Sequence, residues 1–108
     1  MHGKVLIFEY AAGGGLNKEQ IPASLFCEGF AMLRSAIEDF TELGFKVITL
    51  LDERITHLRK LLSAELVLEV RKKDEFLEKF KHGLSLSESC FIIAPEFFNT
   101  LHELTKMA

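Results

Sequence analysis

Apolar residues in this 108-residue chain fall into short unbroken runs and one long helical stripe. Lys4-Val5-Leu6-Ile7-Phe8 is continuous rather than alternating, which predicts a strand covered on both faces, as in a parallel sheet. It ends at Glu9-Tyr10 and passes into Ala11-Ala12-Gly13-Gly14-Gly15, where consecutive glycines permit positive φ and close backbone approach. From Pro22 to about Leu43, Phe26, Phe30, Leu33, Ile37 and Phe40 recur at spacings of four, three, four and three. That is one face of a helix, with Pro22 at its first position and Gly44 just past its end. Gly29 lies beside the stripe and lowers helix propensity by roughly 1 kcal/mol relative to alanine, so it implies close packing on the sheet.

Phe45 to Leu51 predicts a second strand ended by Asp52, followed by a short helix between Asp52 and Ser63 through Leu58, Leu61 and Leu62. Glu65 to Val70 alternates more nearly, as a strand at a sheet edge would. Asp74 is placed to cap a helix carrying Phe76, Leu77 and Phe80 and stopped by Gly83. Cys90 to Ala94 is again wholly apolar, and Pro95-Glu96 opens a final helix through Phe97, Leu101 and Leu104.

The order β-α-β-(α)-β-α-β-α predicts an α/β fold of three layers, Rossmann-like, with a mostly parallel four-stranded sheet and residues 1–108 as one domain. Ligands in such folds sit outside the carboxyl ends of the strands, near the point where strand order reverses, with the first strand as the expected pivot. The segments to inspect are therefore Glu9 to Gly15, Asp52 to Arg54 and Pro95-Glu96.

Composition narrows the function. With 48% hydrophobic and 27% charged residues, the chain is neither disordered nor collagenous in type. A net charge of −3 supplies no electrostatic attraction to nucleic acid or to an anionic membrane, and neither is expected as a partner. No apolar stretch reaches the length of a membrane span and no cleavable leader opens the chain, so a cytoplasmic protein is expected. Cys27 and Cys90 lie far apart without metal-ligand spacing and read as reduced, buried thiols. His2, His57, His82 and His102 form no shared-face pair and read as surface residues, so no metal site is expected. Ten phenylalanines against one tyrosine is a heavy apolar load, and any left exposed would mark a docking surface.

The glycine triplet invites comparison with a dinucleotide-binding turn. In that fingerprint the helix begins within the glycines, whereas here Leu16 to Ile21 intervene, and no Walker Gly-Lys-Ser/Thr is present. Glu9 and Asp52 end neighbouring strands. They either converge as a carboxylate pair for acid/base or amine-binding work, or they order the glycine loop and cap the following turn respectively. No Ser-His-acid set can be placed, and Arg71-Lys72-Lys73 reads as a solvated turn.

The run Lys4 to Leu16, with its Glu-Tyr-x-x-Gly-Gly-Gly core, resembles the opening of a mostly archaeal group of ATP-grasp enzymes that includes tyramine–glutamate ligase. Pro22 to Leu33 with Glu28-Gly29-Phe30-Ala31-Met32-Leu33, then Thr49 to Arg54, then Ile92 to Glu96 agree in order. The pattern departs at Phe97-Phe98-Asn99. This resemblance implies an N-terminal preATP-grasp domain, inactive alone, of a ligase that activates a carboxylate as an acyl phosphate with ATP and Mg²⁺ and couples it to an amine. The partners implied are downstream ATP-grasp domains, which would hold both cofactors, and a small carboxylate or amine substrate; a homodimer is left open. Glu9, Gly13, Gly14, Gly15 and Asp52 become candidate substrate-positioning residues, with no catalytic residue assigned in this chain. The alternative is a freestanding small-ligand or interaction module, and a receiver domain fits poorly because only Glu9 suggests its acidic pair.

Overall fold

A computed structural model describes residues 3–17, 19–71 and 76–93. The elements are β1 (Lys4–Glu9), α1 (Ala23–Glu42), β2 (Lys46–Asp52), a 3-10 helix (Glu53–Leu61), β3 (Leu66–Val70), α2 (Phe76–Ser85) and β4 (Ser89–Ile93). The sheet is parallel throughout, in the order β3-β2-β1-β4. The α/β, Rossmann-like architecture expected from the apolar runs is therefore present, and β1 is the pivot. The chain steps from β1 outward through β2 to β3, then returns across the sheet to place β4 on the far side of β1.

Alternation along the strands sorts their side chains into two cores. Val5, Ile7, Val47 and Leu51 pack with Phe30, Leu33 and Ile37 of α1 and with Ile55 and Leu62. Leu6, Phe8, Ile48 and Leu50 pack on the opposite face with Val70 and with Phe80 of α2. Both faces of β1 and β2 are thus covered, which is why their sequences are apolar without a break. Phe8, Phe76 and Phe80 close the second core with rings 5.2 to 6.0 Å apart.

Helix α1 buries the predicted stripe at Phe30, Leu33 and Ile37, with Phe26 and Phe40 partly buried at its ends. Pro22 stands one residue outside, at the N-cap with ψ of 143°, rather than at the first helical position. Gly44 takes φ of 96° beyond the C-cap Leu43, as anticipated. Two further readings are corrected. Helix α2 runs through Gly83 to Ser85; Gly83 is buried there against Leu6 and Leu50, so it serves close packing rather than termination. Cys27 is exposed, because it sits one position round the helix from Phe26, while Cys90 is half-buried and burial pushes its thiol up to about 11. His57 and His82 are exposed. Asp74 as a cap, Lys72-Lys73, His2, His102 and the final helix from Pro95 lie outside the described residues.

No helix among the described residues is long and apolar enough to cross a membrane.

Candidate functional site

The carboxyl edge of the sheet is built around Glu9. This last residue of β1 is 1% exposed, and its Oε1 accepts the Ala12 amide at 2.7 Å. Burial raises its pKa above the ordinary carboxylate value, opposed by hydrogen bonds from the Ala12 and Ala11 amides, which favour the charged form. Gly29 of α1 lies directly over the carboxylate, where any side chain would collide with it. The glycine in the helix makes room for the glutamate at the strand end.

From Glu9 the chain folds into consecutive turns over residues 10–17. The Gly13 amide donates to the Glu9 carbonyl at 2.7 Å, Gly15 to Tyr10 at 2.9 Å and Asn17 to Gly14 at 3.1 Å. Gly14 has φ of 90°, a region that side-chain-bearing residues seldom enter, and it also rests on Val70. Gly13 abuts Phe8 and Gly15 lies on the Tyr10 ring. The loop is tied across the sheet as well. The Asp52 amide donates to the Ala12 carbonyl at 2.7 Å, and Asn17 Nδ2 to the Arg71 carbonyl at 2.9 Å. It therefore lies over the carboxyl ends of β2 and β3, while Tyr10 faces the β4 side, donating its amide to Ile93 at 2.8 Å and setting its ring 5.7 Å from Phe76.

Asp52, fully buried at the end of β2, caps the 3-10 helix by accepting the Arg54 amide on Oδ1 at 2.9 Å. The Arg54 side chain grips the same carboxylate with both faces of its fork, Nε to Oδ1 at 2.9 Å and Nη2 to Oδ2 at 2.7 Å. Its remaining reach goes to the loop after the glycines. Nη1 donates to the Glu19 carbonyl at 2.6 Å and Nη2 to the Leu16 carbonyl at 3.0 Å. Phe26 of α1 sits 4.9 Å from the guanidinium carbon and completes a clamp between strand end, loop and helix. Beyond Phe26 an apolar groove of about 560 Å³ runs between α1 and the 3-10 helix, lined by Phe30, Ile55, Leu58 and Leu61 among others.

All five candidates, Glu9, Gly13, Gly14, Gly15 and Asp52, meet in this one cluster, and each is engaged within the chain. Glu9 orders the glycine loop and Asp52 caps the following turn. Tyr10 and Arg54 lie within the strand-end segments that the sequence points to but carry no assigned role there, and Asn17 and the Glu9–Gly29 contact lie outside those segments. Asp-x-Arg at a strand end is the local signal for Arg54, since an aspartate cap with a guanidinium two residues on can close on itself, and a glycine beside the helical stripe is that for the Gly29 contact.

A triphosphate needs amides that point outward, but those of Ala12, Gly13, Gly15 and Asn17 donate inside the loop. The Glu9 carboxylate is held by the Ala12 and Ala11 amides and that of Asp52 by the Arg54 amide and guanidinium. Those four amides are not free to bind ATP phosphates, and no group of three side chains that could hold a metal such as Mg²⁺ occurs among the described residues. In comparisons with known proteins no family model matches the chain, and no curated protein or solved structure does either.

Proposed function

We propose that this chain is the N-terminal, substrate-side domain of an ATP-dependent carboxylate–amine ligase of the ATP-grasp type. The observation that carries the reading is a glycine loop pre-built at the carboxyl edge of an all-parallel sheet, on the central strand, from the residues of the Glu-Tyr-x-x-Gly-Gly-Gly block. Ligands of open α/β sheets bind at that edge. The enzymes of this class activate a carboxylate as an acyl phosphate and let an amine displace the phosphate to leave an amide. Nucleotide and metal would be held by further domains, in keeping with a loop in which the amides of Ala12, Gly13, Gly15 and Asn17 already donate within the chain.

On this reading the chain's contribution is position rather than chemistry. A wall fixed in advance by the Asp52–Arg54 clamp and the Glu9 bonds spends no ordering entropy when substrate arrives. The test is ADP release by the polypeptide encoded by the whole reading frame, offered a panel of amino acids and primary amines. Release that requires both an acid and an amine, with none from residues 1–108 alone, is the expected result. ATP turnover by the 108-residue chain itself would overturn the reading, as would a reading frame that stops at Ala108, which would favour a freestanding ligand-binding module.

A further inference from the structure

Helix α1 and the 3-10 helix lie side by side on one face of the sheet, where Phe30, Leu33 and Ile37 of the first and Ile55 of the second share a core with Val47 and Leu51. They are tied to each other at both ends. At the carboxyl edge the Arg54 guanidinium carbon sits over the Phe26 ring at 4.9 Å, and toward the opposite edge Thr41 Oγ donates to the Ser63 carbonyl at 3.3 Å. Between the two ties lies the groove of about 560 Å³, with Phe30 and Ile55 buried at its base and Ala31, Leu58 and Leu61 among its walls.

Those boundaries select the kind of occupant. The stretch of α1 that lines the groove, Phe26 to Glu38, is about 18 Å long at the helical rise of ~1.5 Å per residue. A polypeptide running through it would have to climb over one tie or the other, whereas a finite molecule of that length or less lies wholly inside. The volume falls within the roughly 300–1,000 Å³ of small-molecule sites. Charge selects further. Arg34 and Glu38, the charged side chains of the lining, are bonded to each other at 3.2 Å. An acid entering the groove would compete with Glu38 for Arg34, an amine would compete with Arg34 for Glu38, and either would leave water for apolar walls. An uncharged molecule meets neither penalty.

We infer that this groove is a binding site for an uncharged, elongated apolar small molecule with a single polar end. Its body lies along α1 on Phe30, Ile55, Leu58 and Leu61, and the Ser35 hydroxyl is the lining group suited to a terminal hydroxyl or carbonyl. The site is separate from the strand-end loop and does not rest on the ligase reading.

Titration of the isotope-labelled 108-residue chain with octanol, followed by amide chemical shifts, tests it, with octanoate and octylamine as charged chains of the same length. Octanol should give saturable shifts at Cys27, Ala31, Leu58 and Leu61, and each charged analogue should bind about tenfold more weakly or worse. Ala31→Trp, at an exposed position, fills the groove and should abolish the shifts while far-UV circular dichroism stays that of the parent. Leu61→Glu, at a side chain 42% exposed, should do the same by setting a charge in the wall. The inference is overturned by octanol shifts that do not saturate up to its solubility, that persist in either variant, or that a charged analogue matches. Nuclear Overhauser contacts from residues 94–108 to Leu58 or Leu61 in the free chain would also overturn it, as would shifts there on raising protein concentration alone, because protein would then be the occupant.

Discussion

Replacing Arg54 with alanine should destabilise the domain far more than loss of an ordinary surface arginine. The substitution removes four side-chain hydrogen bonds: two to a carboxylate that is 1% exposed, and two to the Leu16 and Glu19 carbonyls. Asp52 would keep the Arg54 backbone amide and little else. Breaking a buried pair by removing one partner typically costs about 3–5 kcal/mol, because the remaining charge is stranded. Here the arginine side is 35% exposed, so water can approach once it is gone, and about 2–3 kcal/mol is the expected loss. For a domain of this length that lowers the melting temperature by roughly 10–15 °C. Arg54→Lys keeps the charge but not the fork and should lose about half as much. Urea unfolding followed by far-UV circular dichroism, with the slope unchanged, measures both. The double-mutant cycle with Asp52→Asn should return a coupling of at least about 1.5 kcal/mol. An Arg54→Ala variant within about 0.5 kcal/mol of the parent, the range of an uninvolved surface site, would refute the clamp.

Three further outcomes follow from the same geometry. Gly29→Ala gains about 1 kcal/mol of helix propensity yet should destabilise by about 1–3 kcal/mol, because its methyl group meets the Glu9 carboxylate; in a Glu9→Ala background, urea titration should show the penalty gone. Glu9 holds its proton more tightly folded than unfolded, so stability should fall as pH rises from 4.5 through its raised folded value and stay lowered above it; Glu9→Gln should lack that fall when unfolding free energy is plotted against pH. A thiol reagent at pH 8 should modify exposed Cys27 promptly and Cys90, with its thiol pushed up to about 11, far more slowly, read by mass spectrometry.

The elements were legible where one signal decided them. The stripe from Phe26 to Phe40 fixes α1 because five apolar positions at helical spacing leave no competing period. The unbroken runs of β1 and β2 reveal strands with both faces covered, and from these the parallel order follows. Gly83 misled because a glycine that ends a helix and one that admits Leu6 and Leu50 against it look the same in a string of letters. The buried expectation for Cys27 failed for a different reason: composition speaks of residue types, while the helical phase beside Phe26 decides which side a thiol faces.

At the candidate site, the local halves of each role could be read and the distant halves could not. An aspartate at a strand end caps the turn that follows it, and a glutamate before glycines can order them; both need only neighbours in sequence. Arg54 reaching back to Leu16 and Glu19, and Gly29 lying on Glu9, depend on where α1 and the loop are brought by the fold. The open choice between a converging carboxylate pair and two structural anchors is answered by those distant contacts, which hold each carboxylate in a separate role.

Amide hydrogen exchange through residues 11–17 tests most directly whether the glycine loop is a wall fixed by its own chain. Ala12, Gly13, Gly15 and Asn17 should exchange about as slowly as the amides of β1 and β2, and Arg54→Ala should release them selectively. Exchange at these four positions as fast as in an open glycine segment, in the parent chain, would contradict the account.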